Sequence, residues 1–219
     1  MNPSDGINQW RREQRAELLA RRMAVPADSR RRWSDTITAL LLEGFPMLPR
    51  SVVSFYWPFK GEFDPRFAIH RLRQAGVRAA LPVVLKKDTA LEFREWWPGV
   101  ATRTGVFGLP IPDGTDLLRP DVLLIPPLGF DAQGYRLGYG GGYFDRTLAA
   151  MPHQPLKIAL AFELSAITTI RPQPHDIAMD FIVTEAGIHR VSPKGLEAIS
   201  PLSSVAELAG KLASQRTAA

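Results

Sequence analysis

Asp121-Val122-Leu123-Leu124-Ile125 opens the stretch that decides the fold. Its unbroken apolar run is short, β-branched at its ends, and followed at once by prolines. It reads as a strand buried on both faces. The chain then runs through Arg136-Leu-Gly-Tyr-Gly-Gly-Gly-Tyr-Phe-Asp145-Arg146. A helix is expected over residues 142–150 and a second buried strand over 157–162. Two fully apolar strands joined through a helix argue for a mainly parallel sheet with both faces covered. In such sheets ligands collect at the carboxyl ends of the strands.

Outward from this unit, the pattern predicts strands at 51–57, 78–85, 90–96 and 181–184. Helices are predicted over 6–24, 28–44, 65–75 and 203–215. The first carries an apolar face of Ile7, Trp10, Leu18, Leu19 and Met23, with arginines around the rest. Residues 98–120 are rich in Gly and Pro and read as one long loop. The loops after Tyr56, Ile125 and Phe162 are expected along one edge of the sheet. With no linker-like break, a single domain over 1–219 is expected, its core about 6–192 and a tail at 193–219.

Composition narrows the function. There are no cysteines, which excludes disulfides, thiolate metal sites and cysteine nucleophiles. No apolar run is long enough to span a membrane and no secretion signal is visible, so a cytoplasmic location is expected. The net charge of +5 is spread along the chain. That suits small polyanions, and no nucleic-acid partner and no membrane partner are expected.

The glycine loop lies between a strand and a helix, where backbone N–H groups can cradle phosphate. It matches neither the Walker pattern nor the dinucleotide fingerprint. A tight turn requiring positive φ is the alternative. Asp145 falls in the first turn of the next helix, where the helix dipole alone favours an acid. Beside a phosphate cradle it is also a magnesium ligand candidate, with Asp180 as a second carboxylate. Taken alone, Asp180 reads as an acid at the start of a strand. Arg11 and Arg15, four apart, share a helix face that can clamp phosphates or simply face water. Tyr56-Trp57-Pro58-Phe59-Lys60-Gly61-Glu62 can sandwich a flat heterocycle and hydrogen-bond its ring N–H groups, or supply core aromatics and a surface acid. Trp96 and Trp97 are equally ambiguous. His70, His153, His175 and His189 show no metal-ligand spacing.

Pro127-Leu-Gly-Phe-Asp131, followed by Gly134-Tyr-Arg136-Leu-Gly-Tyr-Gly-Gly-Gly-Tyr-Phe-Asp145, resembles the signature of the 5-formyltetrahydrofolate cyclo-ligase family, also called 5,10-methenyltetrahydrofolate synthetase. The resemblance runs from Arg11 to about Val183. It implies a three-layer α/β/α fold of the NagB/RpiA/CoA transferase-like type. It also implies ATP as co-substrate, magnesium, and 5-formyltetrahydrofolate, including its polyglutamylated forms, acting on a monomer. ATP contacts would fall on Arg11, Arg15, Arg136, Leu137, Gly138, Tyr139, Gly140, Gly141, Gly142, Tyr143 and Phe144. Substrate contacts would fall on Trp57 and Glu62, and magnesium on Asp145 and Asp180. Arg11 replaces the family's usual lysine, Phe144 replaces a usual tyrosine, and Leu109-Pro-Ile-Pro112 lacks a usual acid.

The implied reaction phosphorylates the formyl oxygen and closes a ring, releasing ADP and phosphate. Two other classes compete. One is a nucleic-acid or regulatory binding module on the same fold, which salt-dependent RNA binding without ATP turnover would favour. The other is a sugar-phosphate or acyl-transfer enzyme, which would turn over without ATP.

Overall fold

The computed structural model describes residues 3–217. In chain order it holds α1 (Pro3–Met23), α2 (Ala27–Gly44), β1 (Val52–Ser54), α3 (Arg66–Gln74), β2 (Arg78–Val83) and β3 (Glu92–Trp96). Next come β4 (Thr102–Thr104), β5 (Pro110–Pro112), β6 (Val122–Ile125), β7 (Gly129–Asp131), β8 (Arg136–Leu137) and α4 (Tyr143–Ala150). The chain closes with β9 (Leu156–Leu160), β10 (Ala166–Ile167), β11 (Phe181–Thr184), β12 (Gly187–Ser192), β13 (Gly195–Ala198) and α5 (Leu202–Thr217).

The main sheet has eight strands in the order β13-β12-β11-β9-β6-β1-β2-β3. Its centre, from β11 to β2, is parallel. The flanking strands β3, β12 and β13 run antiparallel to their neighbours. The parallel α/β architecture expected from the sequence is therefore present.

The alternation along β6 shows why both faces must be covered. Val122 and Leu124 pack into one cluster with Ile37 and Leu41 of α2, Ile69 and Leu72 of α3, and Val205 and Ala209 of α5. Leu123 and Ile125 point the other way, toward Leu148 of α4 and Phe130 of β7. A strand repeats every two residues, so one apolar run feeds two cores. A third, small cluster of Leu18, Leu128, Leu137 and Ile170 fastens α1 to the rest.

Several sequence expectations change. The stretch 98–120 contains the β4–β5 hairpin, whose outer strand is wholly exposed and so carries no apolar pattern. A three-stranded sheet, β10-β7-β8, forms from strands of two or three residues, too short for a periodic signal. Beyond residue 193, β13 extends the main sheet, and α5 buries Val205 and Ala209 against it. Among the described residues, no helix is long and apolar enough to cross a membrane.

The strand order places the site. From β1 the chain moves to β2 on one side, whereas β6, β9 and β11 build outward on the other. The loops leaving the carboxyl ends of β1 and β6 therefore diverge and open a crevice between them.

Candidate active site

Helix α1 lies over that crevice and is stitched down by one face. Arg11, Arg15, Leu18 and Arg22 recur at the spacing of successive helical turns. Each reaches a different loop. Arg11 donates to the carbonyls of Ile170 at 3.2 Å and Arg171 at 3.0 Å, and forms a buried ion pair with Asp176. Arg15 donates through Nε to the Gly138 carbonyl at 2.8 Å. Leu18 packs over Gly129, where a Cβ would fall 2.6 Å from its Cδ1. Arg22 donates to the Lys60 carbonyl at 3.0 Å, the Pro127 carbonyl at 3.4 Å and the Tyr139 hydroxyl.

The glycine loop links β8 to α4. Gly140 and Gly142 have φ of 97° and 61°, which side chains rarely adopt. Gly140 also lies against Arg15, since a Cβ there would come 3.3 Å from the guanidinium carbon. Gly142 leads into α4 with no side-chain cap, so the first N–H groups of that helix have no side-chain acceptor at the cap. An open cleft of about 1060 Å³ runs between α1 and this loop, lined by Trp10, Arg12, Arg15, Tyr139 and Gly140 among others. Cationic and N–H-rich, it is suited to a polyphosphate.

On the other side lies the loop after β1. Lys60 and Gly61, with φ of 46° and 73°, form a tight turn between Phe59 and Glu62. The Glu62 N–H donates to the Phe59 carbonyl, and the Phe59 N–H donates back to Glu62 Oε2 at 2.9 Å. Glu62 thereby turns inward and is buried. Its Oε1 accepts from the Tyr139 hydroxyl at 3.2 Å and lies 3.8 Å from Arg22. Burial pushes the Glu62 carboxyl up to about 7, against the opposing pull of Arg22, the Phe59 N–H and the Tyr139 hydroxyl. Burial, and then the Glu62 charge, push the Tyr139 phenol up to about 12. Trp57 is half-buried, with the Arg66 guanidinium 4.6 Å over its ring.

The structure thus brings together Arg15, Gly138–Gly142, Tyr139 and Glu62 around one crevice. It assigns other work to several predicted residues. Arg11 is buried and spent on Asp176, so it is not an open phosphate clamp. The Asp176 carboxyl is held below its usual range: burial works the other way, but the Arg11 and Gln173 N–H bonds outweigh it. Arg136 is also buried, donating to Asp145 Oδ1 at 2.9 Å and the Ile177 carbonyl at 3.3 Å. Leu137 belongs to the small apolar cluster, and its side chain is enclosed there. Tyr143 and Phe144 are half-buried at the start of α4, with Arg146 over the Tyr143 ring at 5.2 Å.

The two predicted metal acids are not paired with each other. Asp145 is held by Arg136 and by the Ile177 N–H at 3.1 Å. Asp180 precedes the first residue of β11, at the amino end of the parallel sheet. There it accepts from the Lys157 N–H at 2.7 Å and lies 3.3 Å from the Lys157 ammonium. Among the described residues, no group of three or more His, Asp or Glu is placed to hold a metal. Asp180 is thus engaged with Lys157 at the amino end of the sheet, and Asp145 is the predicted acid nearest the glycine loop.

Arg22 is the site residue that sequence reading missed. It lies seven residues beyond Arg15, two turns along the same helical face, and that periodicity was its available signal.

The model of the 5-formyltetrahydrofolate cyclo-ligase family matches residues 7–185. The chain is 28% identical over 178 residues to the 5-formyltetrahydrofolate cyclo-ligase of Escherichia coli, covering 78% of this chain and 98% of that protein. It is 31% identical over 179 residues to that of Mycolicibacterium smegmatis, covering 78% and 91%. Among solved structures, the 5,10-methenyltetrahydrofolate synthetase of Aquifex aeolicus superposes with a TM-score of 0.73 at 27% identity, over 87% of this chain and 97% of that one. The corresponding synthetase of Mycoplasma pneumoniae gives 0.66 at 25% identity, over 80% and 98%.

Proposed function

This chain belongs to the 5-formyltetrahydrofolate cyclo-ligase family, and from that premise we propose that it is an ATP-dependent ligase converting 5-formyltetrahydrofolate to 5,10-methenyltetrahydrofolate. The observation that carries this reading is the meeting of two unlike loops under α1. One is cationic and N–H-rich, at Arg15 and Gly138–Gly142. The other holds an aromatic wall and a buried acid, at Trp57 and Glu62.

A formamide oxygen is a poor leaving group. Transfer of the γ-phosphoryl group to it, with departure of ADP, makes it a good one. The neighbouring bridge amine then donates its electron pair to the formyl carbon. The carbon–oxygen bond breaks, phosphate leaves, and the amine proton is lost to water. The reacting atoms all belong to the two substrates, so the protein has to position them and stabilise charge.

In this reading Arg15 and the N–H groups of Gly138–Gly142, Tyr143 and Phe144 hold the phosphates, and Tyr139 lines their cleft. Arg11, Arg136 and Leu137 act behind them, fixing the helix and the loop. Trp57 packs on the pterin, and Glu62 accepts from its ring N–H groups. Asp145 is the carboxylate that would hold Mg2+ beside the loop, where the ion would supply neutralisation of phosphate charge. We further propose that the chain acts as a monomer in the cytoplasm, with α1 and both loops of the site contributed by one chain.

The test mixes purified protein, Mg2+, ATP and 5-formyltetrahydrofolate and follows the near-ultraviolet absorbance of the methenyl product. Product that requires both ATP and the formylfolate is expected. A folded protein yielding none would overturn the reading.

A further inference from the structure

Tyr139 belongs to the loop assigned to ATP, yet its hydroxyl is engaged outside that loop. It donates to Glu62 in the loop assigned to the folate, across 77 residues of sequence. The same hydroxyl accepts from Arg22, which also holds the Lys60 carbonyl of the folate loop and the Pro127 carbonyl at the root of the nucleotide loop. Tyr139 is 45% exposed as a residue, and its ring meets Phe59 edge-on at 6.0 Å between centroids. Its hydroxyl is tied at once to Arg22 and to Glu62.

We propose that the Tyr139 hydroxyl, seated by Arg22, is a positioning group that couples the two substrate sites, so that ordering one loop orders the other. The substrate names rest on the cyclo-ligase reading; the linkage itself rests on the hydrogen bonds. Both loops contain backbone that resists order on its own: Lys60 and Gly61 on one side, Gly140 and Gly142 on the other, all at positive φ. A ligand that fixes one loop fixes Tyr139, and through it Glu62. The second ligand then meets a site already ordered and binds more tightly, and the effect is reciprocal. The ligase gains by holding ATP firmly only when the acceptor formyl group is present.

Tyr139→Phe tests this, because it keeps the ring and removes only the hydroxyl. Two measurements are made. The first is amide hydrogen exchange of the ligand-free protein. The substitution is expected to accelerate exchange in both 59–62 and 138–142, and Arg22→Lys, which keeps the cation, is expected to leave 59–62 less affected. The second is the dissociation constant of 5-formyltetrahydrofolate with and without β,γ-methylene-ATP. The analogue is expected to tighten wild-type binding about tenfold and to leave Tyr139→Phe nearly unmoved. Acceleration confined to 138–142, or coupling that survives in Tyr139→Phe, would overturn the proposal. A wild-type chain that binds neither ligand would sink the cyclo-ligase reading, while the exchange data would still decide the linkage.

Discussion

Tyr139 donates a hydrogen bond to Glu62 at 3.2 Å, joining the glycine loop between β8 and α4 to the loop that follows β1. The bond spans the point where the strand order reverses, so the crevice has a built floor. Glu62 keeps its position there although burial opposes its charge.

That opposition has a measurable sign. The folded carboxyl titrates at about 7 against an ordinary 4.5, so the folded state binds the proton more tightly than the unfolded chain. Stability from this group is greatest below pH 4.5 and falls as pH rises toward and through 7. The shift amounts to about 3 kcal/mol in all. Denaturant unfolding at pH 5 and pH 8 is expected to show a larger loss for the wild type than for Glu62→Gln. Equal losses would remove the buried carboxylate as the cause.

Arg11 and Arg15 lie one turn apart but are expected to fail differently. Arg11→Met leaves Asp176 buried without its cation and is expected to destabilise the protein by about 3 kcal/mol. Arg15→Met removes a cation from the cleft wall. It is expected to raise the KM for ATP about tenfold, the weight of one charge-assisted hydrogen bond, with little change in Tm. Thermal melts and steady-state kinetics on the two variants separate them.

Gly140→Ala forces a side chain into left-handed backbone and toward the Arg15 guanidinium. A loss of about 1–2 kcal/mol is expected, together with a raised KM for ATP. Gly138→Ala has open space around it and ordinary backbone, so it serves as the matched control.

Asp180→Asn is expected to lower stability, because Lys157 loses its counter-charge, and to leave the Mg2+ dependence of turnover unchanged. Asp145→Asn is expected to weaken the hold on Arg136 and to alter that dependence. Magnesium titrations of initial rate distinguish the two acids, and a shifted midpoint in Asp180→Asn would restore it to the metal site.

The fold was legible where burial wrote a period into the sequence. The apolar runs at 122–125 and 156–160 and the amphipathic α2 and α3 were read with small errors at their ends. Strands of two or three residues, such as β7, β8 and β10, were not, since a period needs more repeats to be seen. The glycine loop and Glu62 were legible as local chemistry. Their partners were not: a sequence shows that Arg11 and Arg136 are cations but not that Asp176 and Asp145 lie beside them. Long-range charge pairing leaves no local mark, and here it turned two predicted ligand contacts into internal ties.

Helix α1 carries a consequence in time. Arg11, Arg15 and Arg22 bond to residues 105 to 165 positions further along the chain, except at Lys60. Helix α1 therefore cannot complete its seat until the loop at 170–176 exists. Contacts this distant in sequence form late and cost chain entropy to close. Docking of α1 is therefore expected to complete the cleft late in folding, with nucleotide binding as its readout.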